Sequence, residues 1–183
     1  MEEVGDGYFS RIGQGDLLLV VENSATWHSV VSWLRGDHDV GAVAWGLGRA
    51  FTRSIASLSE RHRISRIRYF GDLDPSGLDI PTKAAVYARE LGLPEIQPAA
   101  RLYRALLSAG RDRPGTEKPM TPSGAAALAS WLPEDCRLAA DTLVAGRRIA
   151  QEWVGYRYLQ QNDDWLTDLG GESASDAPGG APL

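Results

Sequence analysis

The chain has 183 residues, which corresponds to about one domain at the usual ~150 residues per domain. Hydrophobic residues make up 43% and charged residues 23%, a composition typical of globular proteins with a buried core. The single cysteine, Cys136, excludes an internal disulfide framework and a zinc site built from several cysteines. The longest apolar run, Leu17–Val21, is far too short to cross a bilayer, and the acidic amino terminus lacks a signal-peptide pattern. We therefore expect a cytoplasmic protein with no membrane partner.

The formal net charge of −5 excludes a uniformly basic surface for nucleic acid. Arginines nevertheless cluster between residues 46 and 70, where six of them accompany a single glutamate. Within this cluster we take Arg49 and Arg53 as candidate DNA-binding residues, since arginine forms a fork that fits phosphate oxygens. A solvated helix face and strand flank would explain the same cluster equally well.

Apolar runs and helical spacings alternate along the first hundred residues. They predict strands at 16–22, 40–45, 67–71 and 95–99, and helices at 24–35, 49–63 and 78–92. Ser24 or Thr26 is the expected cap of the first helix. Strands and helices that alternate with short connections are typical of an α/β fold with a doubly wound parallel sheet and helices on both faces.

After residue 100 the pattern becomes helical. It predicts helices at 100–110 and 123–132, a loop between them, and one long helix over 133–161. We therefore divide the chain into an irregular arm (1–16), an α/β core (17–100), a carboxy-terminal helical extension packed on the core (101–169) and a disordered tail (170–183).

Three acidic residues stand where predicted strands end. Glu22 closes the first strand, and Asp72 and Asp74 follow the third. Sites in open parallel sheets form at the carboxyl ends of strands, and converging carboxylates are best tolerated around a divalent cation. Oxygen ligands favour Mg²⁺ or Mn²⁺ over zinc.

Each of these acids also has a purely structural interpretation. Asp74 precedes Pro75 and can cap the following helix. Asp72 can be an ordinary turn residue, and Glu22 a paired carboxylate at a sheet edge.

Four stretches of the sequence resemble a known family. These are VVENSATW (20–27), AWGLG (44–48), YFGDLDPSGLDI (69–80) and GRRIAQEW (146–153). A strand-terminal glutamate followed by a D-x-D motif resembles the Toprim domain of topoisomerases, primases and related nucleases. The closer resemblance is to the carboxy-terminal domain of JetD, the nuclease component of the Wadjet plasmid-defence system, and the D-x-D-P-x-G form is also similar to the topoisomerase VI A subunit.

The resemblance implies a Toprim-like, magnesium- or manganese-dependent DNA endonuclease that acts in defence against plasmids and phages. It makes Glu22 a metal ligand or general acid/base, and Asp72 and Asp74 the metal-binding pair. Glu152 becomes a fourth catalytic acid, carried to the site by the last helix. Trp27 replaces the phenylalanine usual in the family's glutamate motif.

The relatives also carry an amino-terminal DNA-binding part with a winged helix, which these 183 residues do not contain. In the topoisomerases that part supplies a nucleophilic tyrosine, so we expect water to be the nucleophile here. The partners implied are DNA, an SMC-like motor complex or a separate DNA-binding chain, and a second copy of this chain.

Two other classes of function stay open. One is a non-catalytic DNA- or metal-binding subunit of a larger SMC-like complex, which the acidic overall charge favours. The other is a D-x-D phosphatase with an aspartyl nucleophile. Phosphatases of that kind carry their acids after the first strand, followed by a hydroxyl residue, whereas here the motif follows the third strand and precedes a proline.

Overall fold

A six-stranded sheet forms the centre of the fold in the computed structural model, which describes residues 2–4, 7–34, 38–45, 51, 55–56 and 63–170. Its strands are β1 (Glu2–Val4), β2 (Gly7–Arg11), β3 (Leu17–Val21), β4 (Val40–Trp45), β5 (Arg66–Phe70) and β6 (Ile96–Pro98). Their order is β1-β2-β4-β3-β5-β6. The last four of this order run parallel, so the predicted α/β class is confirmed and the sheet is mostly parallel.

The prediction of an irregular arm over residues 1–16 is wrong. Strands β1 and β2 form an antiparallel pair, and β2 also pairs antiparallel with β4, placing Tyr8 opposite Trp45. The glycine-rich sequence of this segment gives no strand signal, because β2 forms by pairing with the edge of β4 and not through local apolar alternation. The sheet is therefore mixed, and not parallel throughout.

Six helices whose bounds lie within the described residues surround the sheet. They are α1 (Ser24–Trp33), α2 (Pro75–Glu90), α3 (Ala100–Ala109), α4 (Pro122–Ala129), α5 (Ala139–Val144) and α6 (Tyr156–Gln161). Among the described residues there are also three 3₁₀ helices (Glu134–Cys136, Gln151–Val154 and Asp164–Leu169) and a small antiparallel sheet of two strands distant in sequence, β7 (Arg113–Pro114) and β8 (Arg147–Arg148). The helix predicted at 49–63 lies mostly outside the described residues, as does the tail after Gly170.

The single long helix predicted for 133–161 is wrong. Helix α5 ends before Gly146, whose φ of +64° is a left-handed conformation that favours glycine. The next two residues form β8, and Ile149 then makes an isolated bridge with Leu73. Tertiary pairing with β7 and with the loop after β5 therefore replaces the helix that the local sequence favours.

The sheet carries a hydrophobic core on each face, since successive side chains of a strand point to opposite sides. Leu17, Leu19 and Val21 of β3 belong to one core, together with residues of α1, α3 and α4. Leu18 and Val20 belong to the other, together with residues of α2. Helices therefore cover both faces, as predicted. Within the part of the chain described, no helix is both long and apolar enough to span a bilayer.

Candidate functional site

Glu22 and Asp72 meet at one edge of the sheet because β3 and β5 are adjacent and parallel, with Val21 opposite Phe70. The backbone N–H of Asp72 donates to Oε2 of Glu22 at 3.2 Å. The hydroxyl of Tyr69 donates to Oε1 of the same carboxylate at 2.9 Å. The carboxylate of Glu22 is thus held against the loop that follows β5, where the sequence predicted that it would lie.

Gly71 makes this close approach feasible. A Cβ atom at this position would stand 2.5 Å from Oε1 of Glu22, well inside van der Waals contact. The N–H of Gly71 donates in turn to the hydroxyl of Tyr103 at 3.0 Å, and Tyr103 is fully buried. In its observed position the Glu22 side chain therefore leaves no room for a Cβ at the first glycine of the G-D-x-D-P-x-G motif.

Asp74 caps helix α2, as its structural interpretation predicted. Its Oδ1 accepts from the N–H of Gly77 at 2.8 Å, and Pro75 is the first residue of the helix. A Cβ at Gly77 would lie 2.3 Å from the carbonyl oxygen of Asp72, so this glycine too is required by close packing. Asp74 also belongs to an acidic cluster with Glu22 and Asp72, because its charge acts on Glu22 and raises the pKa of that carboxyl.

The segment 147–152 closes the site from the other side. Leu73 and Ile149 exchange backbone hydrogen bonds of 2.9 and 3.2 Å, which fix this segment beside the D-x-D loop. Asp72 then accepts from the N–H of Gln151 at 2.8 Å and from the guanidinium of Arg148 at 2.6 Å. The side chain of Gln151, almost fully buried, accepts from the N–H of Glu22 at 3.4 Å.

Arg148 and Gln151 were not predicted as site residues. They lie in the stretch GRRIAQEW, which carried part of the family resemblance, but the single long helix predicted for 133–161 gave no reason to bring Arg148 to Asp72. The segment is instead a strand followed by a 3₁₀ helix, and Arg148 contacts Asp72.

Glu152 lies near the other acids, although in a 3₁₀ helix and not in the predicted long one. It is exposed, its Oε1 accepts from Nδ2 of Asn23 at 2.7 Å, and its charge raises the pKa of Asp72. Asn23 also provides the cap of α1, with Oδ1 accepting from the N–H of Thr26 at 2.8 Å. The predicted cap at Ser24 or Thr26 is therefore wrong by one to three positions.

Glu117 is a further acid that the sequence did not single out. It accepts from both the N–H (3.1 Å) and the hydroxyl of Ser76 in the first turn of α2, and its charge raises the pKa of Asp74. It lies in a loop without periodicity, so no local signal connects it with the D-x-D motif.

Burial dominates the electrostatics of the cluster. The pKa of Glu22 is raised to about 7, chiefly by burial and to a smaller extent by the charges of Asp72 and Asp74, while the hydrogen bonds donated by Asp72 and Tyr69 oppose the shift. Burial also raises the pKa of Asp72 and of Asp74, while the positive charge of Arg148 lowers both. A bound cation would stabilise the ionised form of all three carboxyls.

The donor set fits a divalent cation in its chemistry, since every ligand atom available is a carboxylate oxygen. Among the described residues, however, no three His, Cys, Asp or Glu side chains are arranged to hold an ion together. Mg²⁺ is usually bound by only one or two carboxylates, with water and substrate phosphate filling the other positions. Each oxygen of Glu22 and Asp72 has two lone pairs, so one hydrogen bond leaves a second lone pair for a metal.

The arginine cluster of residues 46–70 is only partly described. Arg49 and Arg53 lie outside the described residues, so their role stays a prediction. Arg66 stands at the start of β5, at the opposite edge from Glu22, where it pairs with Asp16 at 2.5 Å and with Asp39 at 2.9 Å. This arginine therefore belongs to a surface ion-pair network and not to the acidic site.

The acidic cluster, the glycines that shape it and the closing segment all lie within one match to a known family. A comparison with protein families matched residues 11–163 to the family described as Wadjet protein JetD, C-terminal. Comparisons with curated proteins and with solved structures found no match. Because the match covers most of the chain and includes Glu22, Asp72, Asp74 and Glu152, the chain belongs to the JetD carboxy-terminal family of Wadjet proteins.

Proposed function

We propose that this domain is a Toprim-like endonuclease that cleaves DNA phosphodiester bonds with Mg²⁺ or Mn²⁺, in cooperation with other Wadjet components. The family assignment implies a role in Wadjet defence. The nuclease chemistry, the metal, the DNA substrate and a location in the cytoplasm are the further steps of the proposal.

The contact between Glu22 and the D-x-D loop is the observation that carries the proposal. Two acidic residues follow adjacent parallel strands, and the backbone N–H of Asp72 donates a hydrogen bond of 3.2 Å to the carboxylate of Glu22. The charge of Asp74 acts on the pKa of Glu22, and the charge of Glu152 acts on the pKa of Asp72. A capping role explains Asp74 alone, but it does not explain why a half-buried glutamate is held beside Asp72.

The residues of the site have separate tasks in such a reaction. Asp72 and Glu22 would hold the cation, with Asp74 contributing negative charge beside them. A metal ion bound here would neutralise the phosphate and lower the pKa of a water nucleophile. The pKa of Glu22 is about 7 in the metal-free protein, and a bound cation would lower it, which would keep the carboxylate ionised as a ligand.

A non-catalytic subunit is the second candidate function, and one observation favours it. Both oxygens of Asp72 are already engaged, by Gln151 and Arg148, which is the arrangement expected of a structural carboxylate. In that case any metal or DNA bound at the acidic site would not lead to cleavage.

A plasmid-cleavage assay separates the two candidates. Supercoiled plasmid is incubated with the chain and Mg²⁺ or Mn²⁺, with and without the products of neighbouring genes, and nicked and linear products are measured. We expect cleavage that requires the metal and falls by orders of magnitude in Asp72→Asn and Glu22→Gln. If both variants bind Mn²⁺ and cleave plasmid as the parent does, the metal assignment is contradicted. Hydrolysis of small phosphate esters would instead favour a phosphatase.

A further inference from the structure

The two arginines of β8 point to opposite sides, because consecutive residues of a strand alternate. Arg147 points outward and pairs with Asp112, whereas Arg148 points into the site and pairs with Asp72. The two side chains are neighbours in sequence and equal in charge, but only one of them contacts the acidic cluster.

The Arg148–Asp72 pair is partly sheltered from solvent. One terminal nitrogen of Arg148 lies 2.6 Å from Oδ2 of Asp72, and the two side chains are 29% and 14% exposed. The Nε of Arg148 is buried and has no hydrogen-bond partner in the described part of the chain. A guanidinium has five N–H donors in a rigid fork, so this one retains donors that Asp72 does not use.

The position of Arg148 places it in competition with a metal ion. Its positive charge lowers the pKa of both Asp72 and Asp74, which is the electrostatic effect that a divalent cation would have. The second lone pair of Oδ2 is open to a metal, but a cation bound there would lie beside the guanidinium, and the repulsion between the two positive charges would drive the guanidinium away from Asp72. The displaced fork then remains beside the metal, where its geometry fits two oxygens of a phosphate group.

We propose that Arg148 is a built-in counterion that occupies Asp72 in the metal-free protein, leaves it when a divalent cation binds, and then binds an oxygen of the DNA phosphodiester. The proposal rests on the proposed metal-dependent function. It couples the two ligands of the site, because metal binding releases the arginine that the phosphate requires.

Calorimetric titration of the DNA-free chain with MnCl₂ tests the first half. Arg148→Gln removes the competing cation, so we expect its Kd for Mn²⁺ to be about 3- to 10-fold lower than that of the parent. Arg147→Gln is the matched control, because it removes the same charge from the adjacent residue without touching Asp72, and its Kd should not change. Thermal unfolding of each variant verifies that the fold is retained.

Binding of a short DNA duplex in the presence of Ca²⁺, followed by fluorescence anisotropy, tests the second half. We expect Arg148→Gln to bind about 5- to 10-fold more weakly and to reduce the slope of log affinity against log salt by about 1. Equal DNA affinities of Arg148→Gln and of the parent would overturn the phosphate contact. Failure of the parent to bind the duplex would overturn it as well.

The outcomes of the Mn²⁺ titration distinguish this proposal from the proposed function. Equal Mn²⁺ affinities in the parent and in Arg148→Gln would overturn the counterion role and leave the metal site intact. Absence of Mn²⁺ binding in both would overturn the metal site and the counterion role together. Should Arg148→Gln fail to fold, Arg148→Lys keeps the charge but loses the fork. We expect Arg148→Lys to bind Mn²⁺ about 2- to 3-fold more tightly than the parent, and equal affinity would overturn the proposal.

Discussion

The backbone N–H of Asp72 donates to the carboxylate of Glu22 across fifty residues of sequence. The bond joins the ends of two adjacent parallel strands, so its geometry depends on the register of the sheet and not on a flexible loop. It also holds the side chain of Glu22 beside a second carboxylate, in surroundings that raise its pKa to about 7. A backbone hydrogen bond therefore holds the carboxyl groups of Glu22 and Asp72 together although their negative charges repel.

The raised pKa of Glu22 makes stability depend on pH. Between the ordinary value of 4.5 and the folded value of about 7, the folded chain binds a proton that the unfolded chain does not. Stability therefore falls as pH rises through this range, and the full penalty applies above pH 7. Glu22→Gln should raise the free energy of unfolding by up to about 3 kcal/mol at pH 8 and change it little at pH 4.

Urea unfolding of Glu22→Gln and of the parent at pH 4, 6 and 8 measures this difference. Glutamine keeps an oxygen that accepts from the N–H of Asp72, and the hydroxyl of Tyr69 can accept from its amide nitrogen. Glu90→Gln, at the exposed end of α2, controls for the loss of one negative charge. A stability difference that is the same at all three pH values would contradict the prediction.

Gly71→Ala should destabilise the fold through a clash with one side chain. The three atoms closest to an added Cβ all belong to Glu22, the nearest at 2.5 Å, and the backbone of Gly71 is not left-handed. We expect a loss of about 1–3 kcal/mol in the parent. In the Glu22→Ala background the same substitution should cost much less, because the clashing atoms are gone.

The parent, Gly71→Ala, Glu22→Ala and the double variant form a double-mutant cycle, which is measured by urea unfolding at one pH. The quantity tested is the coupling energy between the two substitutions. A cost of Gly71→Ala that is equal in both backgrounds would mean that Glu22 does not lie over this glycine.

Tyr103→Phe should destabilise the fold by about 1–3 kcal/mol. The substitution removes the hydroxyl that accepts from the N–H of Gly71 and leaves that donor buried without a partner. Tyr87→Phe is the control, since Tyr87 is 38% exposed on α2 and should change stability by less than about 0.5 kcal/mol. Equal unfolding midpoints for both variants would remove Tyr103 from the support of the D-x-D loop.

Glu152→Gln should reduce metal-dependent cleavage without lowering the melting temperature. Glu152 is exposed, and glutamine retains the oxygen that accepts from Asn23, so the fold loses no contact. The negative charge that acts on Asp72 is lost. Glu134→Gln, an exposed acid in another 3₁₀ helix, is the matched control in plasmid cleavage. Full cleavage by Glu152→Gln would leave this residue with a structural contact to Asn23 alone.

The central elements and three of the acids could be predicted from the sequence because their signals are local. An apolar run predicted β3, residues 40–45 form the strand expected of them, and α1 begins where its spacing begins. The carboxyl ends of parallel strands meet at one edge, so strand ends alone indicated that Glu22 and Asp72 would lie together.

The closing segment could not be predicted in this way. Residues 146–152 have helical spacing, but Gly146 takes a left-handed φ and Ile149 pairs with Leu73, more than seventy residues away. Sequence periodicity reports which side chains share a face of one element, and it contains no information about a bridge between two distant loops. The acids of the site are positioned by strands that the sequence by itself determined. Only the tertiary structure brings Arg148 to Asp72, because pairing of its backbone in β8 turns its side chain into the site.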